Sequence, residues 1–127
     1  MKRPMQWGPA RIVGRYGMAV VHGRSMSPTL EDGDRLLVSY AAAPAAGRLV
    51  LARFPDGTVA VKRAVERRAT RSGGSGWWLL SDNADEGVDS RHRGPVADES
   101  VLAVVRLRLW PRPRLIRMRV VQHPARG

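Results

Sequence analysis

The sequence predicts a mostly-β fold, a small folded sheet or barrel of short antiparallel strands. Its apolar runs are short and are separated by turn signals rich in Gly, Pro and Asp. No segment shows a sustained helical period. The chain has 127 residues, of which 43% are hydrophobic, enough for one modest core. We therefore expect a single domain over residues 16–127.

The strands follow one another along the chain, each ending at a turn signal. They are predicted at Tyr16–Val21, Arg35–Tyr40, Gly47–Phe54, Thr58–Glu66, Trp77–Leu80 and Val101–Leu109, with an edge strand at Leu115–Val121. Residues 1–15 are basic and interrupted by Pro and Gly, which predicts a poorly ordered segment. Arg67–Gly76 is rich in Gly and Ser and is predicted to be a flexible hairpin connection.

The composition excludes several classes of protein. There is no cysteine, so disulfide frameworks and thiolate metal sites are excluded. No run approaches the roughly 18 apolar residues of a membrane span, and the N-terminus has no signal-peptide core. We expect a cytoplasmic protein without a transmembrane segment, with peripheral membrane contact left open. No metal or cofactor is expected. A calcium loop that begins at Asp82 is rejected, because Arg93 stands where such a loop needs glutamate.

The charge is strongly positive, +11 at pH 7. Seven arginines follow Glu99 and no acidic residue does. Such a surface could attract nucleic acid, anionic lipid or an acidic protein. No recognition helix, zinc-finger spacing or aromatic–basic RNA motif accompanies the charge, so nucleic acid is not the expected partner. The alternative that we favour is that the arginine excess reflects genome composition.

The segment Ser25–Leu30, with the sequence SMSPTL, is a shaped turn or an edge. Pro28 fixes its own φ, donates no hydrogen bond and pushes the preceding residue towards an extended conformation. Gly23 permits a tight bend after the first strand. A strand that delivers Ser25 onto such a bend is one way to expose a hydroxyl for attack. The alternative is that Ser25 and Thr29 are ordinary turn residues that cap local backbone groups.

A nucleophilic serine needs a base, and Lys62 is the candidate. In the alternating run Val59–Val65, Lys62 shares a face with Ala60 and Ala64, whose side chains are small. To act near pH 7, its pKa must fall by about three units, which burial against apolar surface can achieve. The alternative is a surface lysine that snorkels into solvent. The chain has only two lysines among its 22 basic residues, so a surface cation would more often be arginine.

A third segment, Ser81–Gly94, has the sequence SDNADEGVDSRHRG. Its Asp89 and Arg91 lie on the same side of an extended loop, where they can pair with each other or with neighbouring groups. A loop fixed in this way could hold the strand that lies beside the lysine. The alternative is a solvated acidic turn.

In this order, the three segments resemble the sequence boxes of the signal peptidase I family: Ser-Met-x-Pro-Thr-Leu, a lysine box, and Gly-Asp-Asn…Ser-x-Asp-Ser-Arg-x-x-Gly. The resemblance implies a mostly-β Ser/Lys endopeptidase in which Ser25 is the nucleophile and Lys62 is the general base. It also implies that the other motif residues support this pair: Gly23, Met26, Pro28, Thr29, Arg63, Asp82, Asn83, Asp89, Ser90 and Arg91.

The sequence departs from the family pattern at three positions. Gly23 stands where some relatives have a serine that donates to the oxyanion, so the Ser25 backbone N–H needs another donor beside it. Ser81 stands where the third box usually has glycine. Gly87 stands where that box usually has the serine that orients the lysine. Lys62 is therefore expected to be oriented by some other group.

Among relatives, a short arginine-rich chain with these motifs is most similar to the nickel-type superoxide dismutase maturation proteases. This implies a protein substrate, the nickel superoxide dismutase precursor, from which an N-terminal propeptide is removed. One alternative is a general signal-peptidase-like protease, and another is a self-cleaving repressor-like Ser/Lys domain. A third is a catalytically weak basic binding module. A Ser-His pair, with His92 as base and Asp89 orienting it, is the last.

Overall fold

The computed structural model describes residues 15–119, which form one antiparallel sheet of eight strands and two short helical turns. In chain order, the strands are β1 (Tyr16–Val20), β2 (Arg35–Ser39), β3 (Leu49–Arg53), β4 (Val59–Ala69), β5 (Ser75–Leu80), β6 (Val96–Ala97), β7 (Val101–Trp110) and β8 (Arg114–Leu115). The helical turns are α1 (Ser90–Arg93) and a 3₁₀ turn (Asp98–Ser100). The predicted mostly-β fold of short antiparallel strands is confirmed.

The strand order in the sheet is β1-β2-β7-β3-β4-β5-β6, and β8 pairs with β7. The long strand β7 therefore joins the first hairpin to the strands that carry the lysine. Alternate residues of β3 enter two different apolar clusters: Leu49 and Leu51 one, Val50 and Ala52 the other. Because successive side chains of a strand point to opposite faces, β3 and its neighbours are buried on both sides of the sheet. The lysine-bearing strand β4 is thus fixed against a core.

The predicted hairpin connection begins too early, because β4 continues to Ala69. The guanidinium of Arg67 lies 5.3 Å from the centre of the Trp77 ring, and that of Arg68 lies 3.9 Å from the Trp78 ring. These cation–π contacts across the β4–β5 pair let arginine-rich sequence continue as strand. The turn itself is confined to the few residues before Ser75.

The predicted edge strand at Leu115–Val121 is also too long. In the part of this segment that the structure describes, Arg114–Leu115 pairs with β7, and residues 116–119 have no strand structure. The backbone N–H of Arg119 instead donates to the carbonyl of Gly47 at 2.9 Å, so the chain turns towards the loop before β3. Residues 120–127 lie outside the described residues, and so does the predicted poorly ordered segment 1–15 except for Arg15.

The elements that sequence patterning missed are α1, β6 and the 3₁₀ turn. Each has two to four residues, too few for a repeating apolar pattern to appear. Within residues 15–119, none of the helical segments has the length or hydrophobicity that crossing a bilayer requires.

Candidate active site

Ser25 lies in the turn that follows β1. Gly23 has φ of +83°, a left-handed conformation that glycine adopts without strain, and there the chain bends away from the strand. The backbone N–H of Gly23 donates to Asp32 Oδ1 at 2.7 Å, so it is committed to the neighbouring loop. After the half-buried Ser25 comes Met26, only 1% exposed, which anchors the turn in the core. The serine is thus held at the rim of the core by the residue that follows it.

Lys62 is buried in β4, with 2% of its surface exposed, so it is not a surface lysine. Its Nζ donates a hydrogen bond of 2.9 Å to Ser81 Oγ. Burial lowers the pKa of Lys62, because it penalises the charged ammonium, and the nearby Arg91 lowers it further. The carboxylate of Asp89 raises the pKa in part, but the balance is a pKa below that of an ordinary lysine. This is the direction that a general base requires.

Ser25 and Lys62, which lie 37 residues apart in sequence, come together at Gly87. A Cβ atom placed on Gly87 would lie 2.7 Å from Ser25 Cβ, 3.6 Å from Ser25 Oγ and 3.3 Å from Lys62 Nζ. Both side chains therefore border the same small space. Gly87 also has φ of +78°, in the left-handed region. Position 87 has neither the room nor the backbone conformation for an ordinary side chain.

A buried ion pair links the lysine strand to the serine turn. Arg63 donates to both oxygens of Asp82, with Nη2–Oδ2 at 2.6 Å and Nε–Oδ1 at 3.0 Å, and both side chains are 2% exposed. Thr29 Oγ1 donates to the same Asp82 carboxylate. Burial alone raises the pKa of Asp82, but hydrogen bonds from Arg63 and Thr29 outweigh it, and the pKa is lowered. One residue from each of the three sequence motifs therefore meets in a single network.

Asn83 makes a second connection between the third motif and the serine turn. Its backbone N–H donates to the carbonyl of Ser25 at 2.8 Å, and its side-chain amide donates to the carbonyl of Arg24 at 3.1 Å. The backbone N–H of Asp82 points at the sulfur of Met26, 3.3 Å away. The nucleophile candidate is thus held through its own backbone by the residues that follow β5.

The predicted pairing of Asp89 with Arg91 is present, with Oδ2–Nη2 at 2.8 Å. The setting differs from the predicted extended loop, since Asp89 caps α1 and accepts the backbone N–H of Arg91 at 3.0 Å. Burial alone raises the pKa of Asp89, but hydrogen bonds from Arg91 and from the Ser81 backbone lower it overall. Ser90 Oγ accepts the backbone N–H of Leu79, which ties α1 to β5. These hydrogen bonds connect α1 to the end of β5, the strand that pairs with the lysine-bearing β4.

His92 takes part in this cap. Its Nδ1 accepts the backbone N–H of Asp89 at 3.3 Å and lies 3.6 Å from Asp89 Oδ1. The side chain is 53% exposed. The contact with Asp89 that the Ser-His alternative requires is therefore present, but the contacts of the imidazole belong to the cap of α1, whereas Ser25 and Lys62 border the same space at Gly87. Pro28 is exposed at the outer side of the serine turn and follows a cis peptide bond.

Removing the Asp82 carboxylate will destabilise the protein strongly. The Asp82→Ala substitution leaves the buried Arg63 guanidinium without its counter-charge, which costs roughly 3–5 kcal/mol. We expect a correspondingly lower free energy of unfolding in urea. The matched control is Asp85→Ala, at an exposed aspartate of the same loop, which should change stability by less than about 0.5 kcal/mol.

The same carboxylate determines part of the acid sensitivity. Because the pKa of Asp82 is lowered in the folded state, its stabilisation is complete above the ordinary carboxyl range and is lost as pH falls towards the folded pKa. The Asp82→Ala variant should lose less stability than the wild type over that acidic window. Equal losses in both proteins would contradict this assignment.

The sequence of the chain matches one family of known proteins. A protein-family model described as Peptidase S24-like matches residues 4–101. The chain belongs to the Peptidase S24-like family. The matched region is about three-quarters of the chain and contains Ser25, Lys62 and the third motif. Among curated proteins, no sequence matches.

Membership of the Peptidase S24-like family supports a serine peptidase. This agrees with the class that the three motifs predicted. The contact that sequence reasoning missed is the one between Lys62 and Ser81. Its signal was the pair of departures from the motif, a serine at position 81 and a glycine at position 87.

Proposed function

We propose that this protein is a serine endopeptidase that uses Ser25 as nucleophile and Lys62 as general base. We further propose that it removes an N-terminal propeptide from a nickel-type superoxide dismutase precursor in the cytoplasm. The observation that carries the catalytic part is that Ser25 and the buried Lys62, whose pKa is lowered, both border the space at Gly87. No metal or cofactor is part of the proposal.

The reaction proceeds in two stages. Neutral Lys62 takes the proton of Ser25 Oγ as that oxygen attacks the scissile carbonyl, and the resulting ammonium then protonates the leaving amine. The acyl-enzyme that remains is hydrolysed by water, which gives its proton to Lys62 and its oxygen to the acyl carbon. Departure of the acid restores Ser25, to which the lysine returns the proton.

An extended substrate can pair with the edge of β4. Residues Val59–Arg63 pair with β3 on one side, whereas pairing with β5 begins only at Arg63. Among the described strands, the second edge of Val59–Lys62 therefore has no partner. A peptide added there would bring its backbone to Ser25. Its alternate side chains would enter two cavities, one lined in part by Ser25 and Val61 and the other in part by Lys62 and Gly87.

The cavity at Ser25 favours a small residue before the cleaved bond. It has a volume of about 40 Å³ and is lined mainly by apolar side chains, including Val21, Met26, Leu51 and Val61. This volume is small, so the cavity accepts only a small side chain. A second cavity, of about 250 Å³, lies beside Lys62 and Gly87 and has room for a larger side chain.

The identity of the substrate is supported by the resemblance of the motifs and by charge. Nickel coordination by an amino terminus requires that terminus to be free, and a propeptide would occupy the amine in a peptide bond. The net charge of +11 favours an acidic protein substrate, since complementary charge raises the rate of encounter more than the final affinity.

Co-expression tests the substrate directly. The precursor is expressed with the wild-type protein or with Ser25→Ala, and the N-terminus of the product is sequenced. We expect processing only with the wild type. Equal processing with both proteins would contradict the proposed substrate. Labelling of Ser25 by a fluorophosphonate tests activity separately, because a binding module without catalysis would label no faster than Ser25→Ala. Cleavage of the purified chain itself would instead favour the self-cleaving alternative.

Activity will rise on the alkaline side, with its midpoint below the pKa of an ordinary lysine. Only neutral Lys62 can accept the Ser25 proton, and burial lowers the pKa at which the amine becomes neutral. The measurement is kcat/KM as a function of pH. The control is His92→Ala, which should leave the midpoint unchanged. A midpoint near about 6.5 that disappears in this variant would transfer the base role to a histidine.

A further inference from the structure

We infer that Ser81 is the residue that orients Lys62 for proton transfer, in place of a side chain at position 87. This inference rests on the proposed Ser/Lys function and adds a positioning residue to it. Ser81 thereby supplies the hydroxyl that relatives have at position 87, and it does so from the start of the same motif, Ser81–Gly94.

The first observation is the contact itself. Lys62 Nζ donates to Ser81 Oγ at 2.9 Å, and the two residues are 2% and 7% exposed. Pairing of Arg63 with Leu80 places Lys62 and Ser81 at neighbouring positions where β5 ends. A hydrogen bond in such a buried place is shielded from competing water, so it restricts the amine more than a surface contact would.

This bond fixes the direction of the lysine's lone pair. A neutral amine has two N–H bonds and one lone pair, and free rotation about the Cε–Nζ bond spreads the lone pair over several directions. When one N–H is donated to Ser81 Oγ, fewer orientations remain. The lone pair can then be directed at Ser25 Oγ, which borders the same space at Gly87.

Ser81 is itself held in place. Its backbone N–H donates to Asp89 Oδ2 at 2.8 Å, and the Asp89 side chain is fully buried and ion-paired with Arg91. The carboxylate therefore acts on Lys62 partly through the position of Ser81. This gives the third motif a defined role: it fixes the hydroxyl that in turn fixes the amine.

Position 87 cannot supply the hydroxyl in this chain. A Cβ there would lie 2.7 Å from Ser25 Cβ, closer than nonbonded carbon atoms approach, and φ of +78° disfavours a side chain. Ser81 approaches Lys62 from the end of β5, where its own side chain is already accommodated.

The test is the rate at which a fluorophosphonate labels Ser25, measured against pH, which requires no knowledge of the substrate. Ser81→Ala should slow labelling by roughly 10²-fold, the order expected when a catalytic group loses its alignment. Removing a hydrogen-bond acceptor from the ammonium should also move the alkaline midpoint to lower pH. Ser81→Thr, which retains the oxygen, should recover most of the rate.

The matched control is Ser39→Ala, which removes another buried serine hydroxyl, bonded to the Ala42 backbone N–H and separated from β4 by β7 and β3. Thermal unfolding of each variant identifies any loss of fold. A folded Ser81→Ala protein with the wild-type rate and midpoint would overturn the inference, as would a rate that falls equally in Ser39→Ala. Lys62→Ala is measured in parallel: wild-type labelling in that variant would refute the Ser/Lys function itself, independently of Ser81.

Discussion

Replacing either Ser25 or Lys62 by alanine will lower peptidase activity by roughly 10⁴-fold or more, and the double variant will be little worse than either single one. The reason is that the two residues act as a unit: without Lys62 the hydroxyl keeps its proton, and without Ser25 the base has no nucleophile to activate. The measurement is kcat/KM on a peptide that spans the cleavage site, with the unfolding midpoint of each variant recorded.

The control for this prediction is Ser27→Ala, two residues further along the same turn. The Ser27 hydroxyl donates to Glu31 at 3.2 Å, whereas Lys62 donates to Ser81, so loss of the Ser27 hydroxyl should have a mild effect. A Lys62→Ala protein that turns over substrate at nearly the wild-type rate would refute the pair. If Ser27→Ala lowered activity as much as Ser25→Ala, the assignment of Ser25 rather than Ser27 as the nucleophile would be contradicted.

Adding one methyl group at position 87 will reduce activity by roughly 10²-fold, the effect expected when reacting groups are displaced by about an ångström. The Cβ of Gly87→Ala would overlap Ser25 Cβ at 2.7 Å and crowd Lys62 Nζ at 3.3 Å, so the loop or the serine must move. The left-handed φ of +78° adds backbone strain. The measurement is again kcat/KM, together with the rate of fluorophosphonate labelling.

A matched control separates crowding from strain. Gly73, in the turn between β4 and β5, has φ of +96° and open space where a Cβ atom would lie. Gly73→Ala should therefore show the strain, about 1 kcal/mol of stability, without the loss of activity. If Gly87→Ala is as active as Gly73→Ala, the space at position 87 is not part of the active site.

The residues with the two largest expected effects differ in how readily the sequence reveals them. Ser25 and Lys62 stand out in the sequence because each lies in a segment that resembles a box of the signal peptidase I family, and because Lys62 is one of only two lysines. In the sequence, Gly87 is notable only as the position where the third box of the family usually has a serine. Its closeness to both side chains depends on how the loop after β5 packs on the turn after β1, through Asn83 and Asp82.

The part of the fold that could be predicted from the sequence is the part that depends on local patterns. The alternation of side chains and the Gly/Pro turn signals act over a few residues, so they located the five strands β1 to β5 and the long strand β7. They failed where stability comes from contacts across strands. Arg67 and Arg68 extend β4 by stacking on Trp77 and Trp78, and α1 depends on its cap by Asp89.

The sequence by itself determined the fold class, the three motifs and the candidate pair. Each of these depends on short runs of consecutive residues, and Ser25 and Lys62 each lie within such a run. Only the tertiary structure decided what holds that pair. Lys62 and Ser81 are 19 residues apart and meet through the register of β4 with β5, which no local pattern specifies. Likewise, the buried network of Arg63, Asp82 and Thr29 joins three distant segments. Such contacts arise from the packing of the whole sheet. Burial shields the hydrogen bond between the Ser81 hydroxyl and the Lys62 amine from water, so this one contact can determine how the amine is oriented.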